Sequence, residues 1–308
     1  MQPQLSVIIV NYNVRELLKN CIRSIYESIK NEDVEIIVVD NASSDGSEDF
    51  IRSVYPSVKW IANTSNAGFS EANNQGMEIC NADFILLLNP DTEVKEGALQ
   101  MLMNRLKVSG NLDVVAPRLL NSDLTLQPSA WKLPDVFSIF LETFYLHQLF
   151  RLNSYATADY QKDFNPEAAS GAALAFRKTV YRSIGGLDPD LFWMDDTDFC
   201  YRIKKAGGRI HYVSGATIVH HSGKSSSKNL HVVIANQLLS KVKYMKKHSI
   251  WLTAGITSIL IFLHILSRLF VFTLLSIIIP SQSVKRNAYF FSLKKFWNYQ
   301  FFGESTIR

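Results

Sequence analysis

Two acidic clusters in this chain have the residue types and setting for chemistry. Asn89-Pro90-Asp91 directly follows the apolar run Phe84–Leu88, and Asp195, Asp196 and Asp198 bunch where a helical segment opens. A carboxylate at the C-terminal end of a buried strand lies where open α/β sheets bind their ligands. Its oxygens can hold a hard divalent cation, and that cation can clamp a diphosphate. Taken alone, a strand ending in Asn-Pro-Asp reads first as a turn. At the second cluster one Asp would satisfy the capping and dipole needs of a helix N-terminus. Three invite another role, such as taking a proton from an attacking hydroxyl, with like-charge crowding raising one pKa.

The elements that must position these groups alternate in kind. Leu5–Val10, Val34–Val39, Lys59–Ala62, Phe84–Leu88 and Val114–Ala116 read as short buried strands. Val14–Lys30, Ser47–Tyr55, Ser70–Ile79 and Gly97–Val108 read as helices between them. Such alternation predicts an α/β fold with a mostly parallel, Rossmann-like central sheet covered on both faces. Residues 121–164 are less regular, rich in Leu, Phe and Tyr with Pro128 and Pro134, and read as a mobile or substrate-facing excursion. Gly171–Arg177, Asp198–Ala206 and Arg209–Val219 then read as strand, helix and strand.

Three further segments end at the same predicted sheet edge or open a helix. Ser6–Asn13 is a strand with a polar end. Ile36–Ser47 is a strand running into an acidic turn, where Asp40 can accept hydrogen bonds from a base or ribose. The alternative for Asp40–Ser47 is a turn with a Ser N-cap. Asn63–Gly76 is a polar loop containing Gly68 that opens a helix, where free N–H groups favour phosphate. Gly171-Ala172-Ala173 in a strand implies close packing by a neighbour.

In this order the segments resemble glycosyltransferase family 2, an inverting family of GT-A fold, and in particular its bacterial rhamnosyltransferase-like branch. The resemblance covers roughly residues 5–227. It implies a nucleotide-diphospho-sugar donor, with a dTDP- or UDP-sugar expected, held at the carboxyl edge of the sheet. Asn11 and Asp40 would meet the nucleoside, and Asn66, Gly68 and Asn73 would lie near the donor, with Asn89 beside them. Asn89-Pro90-Asp91 takes the place of the family's Asp-x-Asp metal motif, so Asp91 is the charged metal ligand of that pair, for Mg²⁺ or Mn²⁺. Asp195-Asp196 matches the family's acidic pair, whose second member is the usual base. Asp196 is therefore the expected base, and Asp195 its orienting neighbour. His220 falls where the family has a histidine that helps hold metal or diphosphate, although His221 is adjacent, and Lys224 and Ser225 could reach phosphate oxygens.

Composition agrees with a large globular domain. The chain has 308 residues, 47% of them hydrophobic, and a formal net charge of only +4, which gives no general attraction to nucleic acid. Cys21, Cys80 and Cys200 lie too far apart for a zinc or redox motif and suit a reduced cytosolic setting. Met1–Gln4 leads straight into a strand-like run, so no signal peptide is expected. The expected organisation is a catalytic domain at 1–228 and a helical membrane-associating region at 229–308.

Within that region Ile250–Ile279 is nearly all apolar. As one helix it would be about 45 Å long at roughly 1.5 Å per residue, enough to cross a hydrocarbon core of about 30 Å. Basic residues flank it on both sides, Lys241–Lys247 before and Lys285–Lys295 after. A re-entrant or interfacial segment with both flanks cytosolic fits those charges best. The expected activity is transfer of a sugar, rhamnose foremost, to a hydroxyl of a lipid-linked or polysaccharide acceptor. The rivals are a nucleotidyltransferase, for which Asn11–Arg15 lacks the Gly-rich basic loop, and a non-catalytic membrane scaffold of the same fold.

Overall fold

A computed structural model describes residues 2–29, 33–146, 155, 158–221 and 230–303 of the chain. The first 120 residues supply strands β1 (Leu5–Asn11), β2 (Val34–Asp40), β3 (Lys59–Ala62), β4 (Phe84–Leu88), β5 (Thr92–Val94) and β6 (Val114–Leu120). Helices α1 (Arg15–Ser28), α2 (Ser47–Val54), α3 (Phe69–Ile79) and α4 (Ala98–Val108) connect them. Later come β7 (Ala130–Trp131), α5 (Val136–Thr143), β8 (Ala168–Ala169), β9 (Ala173–Arg177), α6 (Lys178–Ile184), α7 (Asp195–Lys205) and β10 (Ile210–His220). Three long helices, α8 (Leu230–His248), α9 (Trp251–Ile278) and α10 (Ser283–Phe302), close the described chain.

Eight strands form one sheet in the order β3-β2-β1-β4-β9-β6-β10-β5. Six of them run the same way, and β9 and β5 run against them. The fold is therefore mixed α/β with a large, mostly parallel sheet, as the alternating pattern predicts. Every side chain of β1 and β4 is buried, which is why β4 reads as an unbroken apolar run and β1 carries Val7–Val10 without alternation. On α1 the buried residues Leu18, Cys21, Ile22 and Ile25 recur at helical spacing and seal one face of the sheet. All three cysteines are free and buried.

The excursion at residues 121–164 holds more order than its composition suggests. Asp135 accepts from Ser138 N, and the Ser138 hydroxyl in turn receives the Asp135 N–H, a capping box that starts α5 directly after Pro134. β7 pairs with β8 through Ala130↔Ala169 and Trp131↔Ala168. Helix α7 begins at Asp195, three residues before the expected start, and β9 begins two residues late at Ala173.

The described chain gathers into two compact units. The first is Met1–Lys132, Tyr155–Pro189 and Asp195–Ser222, and contains the sheet. The second is Leu133–Ser154, Asp190–Met194 and Gly223–Arg308, and contains α5, α8, α9 and α10. Of the described helices only α9 is long and apolar enough to cross a membrane.

Candidate active site

The carboxyl ends of β1 and β2 lie side by side, with Asn11 paired to Asp40 in register. Asn11 Nδ2 donates to Asp40 Oδ1 at 2.7 Å and to Ser43 Oγ at 3.1 Å. Asp40 also accepts from Ser43 N at 2.9 Å and from Ser43 Oγ at 2.5 Å. Ala42, at φ +61°, turns the chain so that Ser43 folds back over the carboxylate. Asn11 Oδ1 is buried and has no hydrogen-bond partner among the described residues. A buried orphan acceptor carries a desolvation cost, so this atom suits an N–H brought by a ligand.

Farther along the edge, the chain turns at Asn89-Pro90-Asp91 from β4 into β5. β5 then pairs antiparallel with the end of β10, Thr92 opposite His220. His221 N donates to Asp91 O at 2.8 Å, so residues 130 positions apart in the sequence meet here. Asp91 Oδ1 lies 3.3 Å from His220 Nε2, and Asn89 Nδ2 lies 3.3 Å from the same nitrogen. On the far side of the ring, Nδ1 is 2.8 Å from Gln127 Oε1. That amide oxygen can only accept, so Nδ1 carries a proton, and Nε2 is the ring nitrogen that faces Asp91 and Asn89. His221 points elsewhere, to Glu93 Oε1 at 3.0 Å and Ser122 Oγ at 2.8 Å. Both histidines line a recess of about 270 Å³ with Asn121, Ser122 and Asp123.

One carboxylate oxygen and one imidazole nitrogen thus converge. Among the described residues no third His, Cys, Asp or Glu joins them. Such an open pair fits a hard cation that keeps several waters and takes further ligands from a phosphate.

The third part of the site is the start of α7. Asp195 is buried and accepts from Ser70 Oγ, at the N-terminal end of α3, at 2.8 Å. Asp196 Oδ2 accepts from Gly171 N at 3.0 Å, and Oδ1 from Thr197 N at 2.6 Å. Trp131 Nε1 donates to Thr197 Oγ1 at 3.1 Å and steadies that turn. A Cβ on Gly171 would stand 3.3 Å from Asp196 Cβ, which explains the absence of a side chain there. The neighbouring Ala172 O accepts from Asn89 N at 2.9 Å. Gly171-Ala172 therefore ties the Asn89–Asp91 turn and the Asp196 carboxylate to one strand entry.

Burial pushes the Asp195 carboxyl up to about 7, with the charge of Asp196 adding to the effect. Asp196 is raised as well, again by burial, although hydrogen bonds from Gly171 and Thr197 oppose the rise. A carboxyl raised on folding binds a proton more tightly in the folded chain than in the unfolded one. Its stabilising effect is complete below its ordinary 3.8 and is lost as pH rises through about 7. Asp195→Asn should remove that slope, so its stability gains on the wild type between those limits, as denaturant titrations across the range will show.

The third carboxylate has a different job. Asp198 is fully buried and pairs with Arg202 at 2.7 Å, and Arg202 also donates to Ile184 O and Gly186 O, each at 2.7 Å. Asn74 clamps Leu187 through two 2.8 Å bonds to its backbone. The Asp198 carboxylate thus locks the Gly185–Leu187 turn rather than facing a ligand.

The remaining residues expected at the site divide. Asn66 Oδ1 accepts from Gly68 N at 3.0 Å, and Gly68, at φ +89°, opens α3 beside Ser70. Asn73 is buried, and its Nδ2 donates to Phe69 O within its own helix at 2.9 Å. Lys224 and Ser225 lie outside the described residues. Sequence reasoning passed over Ser43, Ser70, Gln127 and Trp131. Ser43 and Ser70 stand inside segments already singled out, whereas Gln127 and Trp131 come from the excursion and carry no local signal.

Residues 6–185 match the model of the family described as "Glycosyl transferase family 2". A similar protein is the N-acetylglucosaminyl-diphospho-decaprenol L-rhamnosyltransferase of Mycobacterium tuberculosis, 25% identical over 74% of this chain and 80% of the relative. The GalNAc(5)-diNAcBac-PP-undecaprenol beta-1,3-glucosyltransferase of Campylobacter jejuni is 32% identical over 33% of this chain and 34% of its own length. Among solved structures, the mannosyltransferase PcManGT of Pyrobaculum calidifontis, in complex with GDP-Man and Mn²⁺, is similar with a TM-score of 0.59. At 15% identity the match spans 99% of this chain and 89% of that one. GalNAc-T7 with UDP, GalNAc and Mn²⁺ aligns at TM-score 0.58 and 16% identity, over 79% of this chain and 50% of the other. The sheet is that of a GT-A fold, and the chain belongs to glycosyl transferase family 2.

Proposed function

We propose that this glycosyltransferase moves a sugar, with inversion, from a nucleotide-diphospho-sugar to a hydroxyl of a lipid-linked or polysaccharide acceptor. The observation that carries the reading is the Gly171-Ala172 tie, which holds the Asn89–Asp91 turn and the raised Asp196 carboxyl at one strand entry. Asp196 takes the acceptor hydroxyl's proton as that oxygen attacks the anomeric carbon. The bond to the diphosphate oxygen breaks in the same displacement, so the configuration inverts and no covalent enzyme intermediate forms. Asp195 orients the base, and its shared burial keeps both carboxyls basic. Asn11 and Asp40 receive the nucleobase, with Asn11 Oδ1 as acceptor, and the Asn66–Gly68 loop with Asn89 holds the donor. Asp91 and His220 are the residues that would hold Mg²⁺ or Mn²⁺. Such a cation, when bound, offsets the charge developing on the departing diphosphate.

Rhamnose is the leading sugar, supported by the mycobacterial relative, with dTDP or UDP as the carrier. The decaprenyl and undecaprenyl acceptors named for the relatives support a lipid-linked acceptor here. The apolar α9, between basic flanks, supports work at the cytoplasmic face of a membrane.

Thermal unfolding of the detergent-purified chain with a panel of nucleotide-sugars, with and without Mg²⁺ or Mn²⁺, tests the reading. A metal-dependent rise in Tm with one donor is expected; no rise with any donor in a folded sample counts against it. Gly171→Ala should push Asp196 by a few tenths of an ångström and lower kcat by about 10- to 100-fold with little change in KM. Steady-state kinetics with the identified donor will check this.

A further inference from the structure

In the second compact unit α9 buries the polar residues Thr257, His264 and Arg268 alongside Ala254, Leu260, Ile261 and Ile265. Its outward side presents Leu252, Ile256, Ile259, Leu263, Phe270 and Leu274. A helix at the surface of a water-soluble protein turns polar and charged residues outward instead.

Arg268 is the only charged residue of α9. Its guanidinium donates to Thr143 O and, at 2.8 Å, to Glu142 O, the closing carbonyls of α5. It also lies 3.6 Å from the centre of the Tyr145 ring. Carbonyls at a helix C-terminus have no partner in their own helix, and a cation there is favoured. Arg268 therefore pins α5 to the middle of α9. α5 in turn exposes Phe137, Phe140 and Phe144, at helical spacing, while Ile139 and Leu141 are buried.

α10 runs antiparallel beside α9. Phe296 stacks on Phe262 at 5.9 Å, Tyr289 on Phe272 at 5.6 Å, and Lys285 sits 5.2 Å over the Phe272 ring. The exposed Lys294 is consequently level with the interior of α9, far from its ends. Lys241 of α8 pairs with Glu142 at the end of α5. If α9 crossed a bilayer, Lys294, the Lys241–Glu142 pair and the end of α5 would enter hydrocarbon, where charge and open backbone are disfavoured. With α9 in the membrane plane, its apolar side is buried and long Lys side chains reach the headgroups. Residues 230–303 contain nine Lys and Arg and no Asp or Glu, so the matching surface is anionic.

We propose that this unit is a monotopic membrane seat: α9 lies in an anionic bilayer surface with both ends on one side, and the phenylalanines of α5 enter the same bilayer. The proposal rests on the membrane association put forward above. The test uses the full chain added to preformed phosphatidylglycerol/phosphatidylethanolamine vesicles, with the buried native cysteines as unlabelled background. Co-sedimentation comes first; failure to bind, or self-association in place of binding, overturns both readings. For bound protein, a polarity-sensitive dye at Phe140→Cys and at Phe270→Cys should shift to the blue and be quenched by doxyl-labelled lipids. A membrane-impermeant maleimide should label Lys247→Cys and Lys285→Cys fully from outside. Binding with an aqueous Phe140→Cys probe, or with either flank protected until detergent is added, overturns this proposal and leaves membrane association standing.

Discussion

Asp196→Asn is expected to reduce transfer by about 10²–10⁴-fold, the range for loss of a positioned general base, while donor binding persists. The amide keeps the shape of the carboxylate, and its oxygen can still accept from Gly171 N or Thr197 N, so the start of α7 should stay folded. What disappears is the capacity to take a proton. The pair's environment adds a second expectation. Burial raises both Asp195 and Asp196, so the acid limb of kcat/KM should lie above the ordinary carboxylate range, and activity should fall as pH drops through it. Steady-state kinetics across pH, with calorimetry for donor affinity, separate the two effects. Wild-type turnover by the Asn variant would remove Asp196 from the reaction.

The second large effect is expected at the Asp91–His220 pair. Asp91→Ala should abolish the metal-dependent part of donor binding and lower kcat by about 10²–10³-fold, as loss of a group that stabilises developing charge does. His220→Ala should weaken Mn²⁺ binding less severely. Gln127→Ala should reduce it by about 10- to 100-fold, because the ring then loses the partner that fixes its tautomer. His221→Ala is the discriminating control. Its ring is engaged by Glu93 and Ser122, so metal and donor binding should be unchanged. Mn²⁺ titration followed by electron paramagnetic resonance reads all four variants, and a loss confined to His221→Ala would exchange the two histidines' roles.

The amino-acid sequence by itself determined the parts of this protein that depend on local pattern. Short apolar runs such as Phe84–Leu88, alternating with helical segments, read as buried strands, and Asn89–Asp91, Asp40 and Asn11 then fall at strand ends. The order of those segments was enough to indicate the family. The long apolar α9 and its basic flanks were equally plain, since composition alone carries them.

Tertiary structure alone decided which groups meet. That His220 rather than His221 lies beside Asp91 follows from where the rings reach: His220 Nε2 sits by Asp91 and Asn89, whereas the His221 ring meets Glu93 and Ser122. Separating Asp198 from Asp195 and Asp196 required Arg202 and the carbonyls of Ile184 and Gly186, which claim one carboxylate for the fold. The same holds for Arg268, whose charge looks like a blemish in an apolar segment until the end of α5 arrives to receive it. Each of these contacts joins residues whose separation in sequence is unrelated to their separation in space, except the Asp198–Arg202 pair. There the spacing permits the bond, and burial shields it from water.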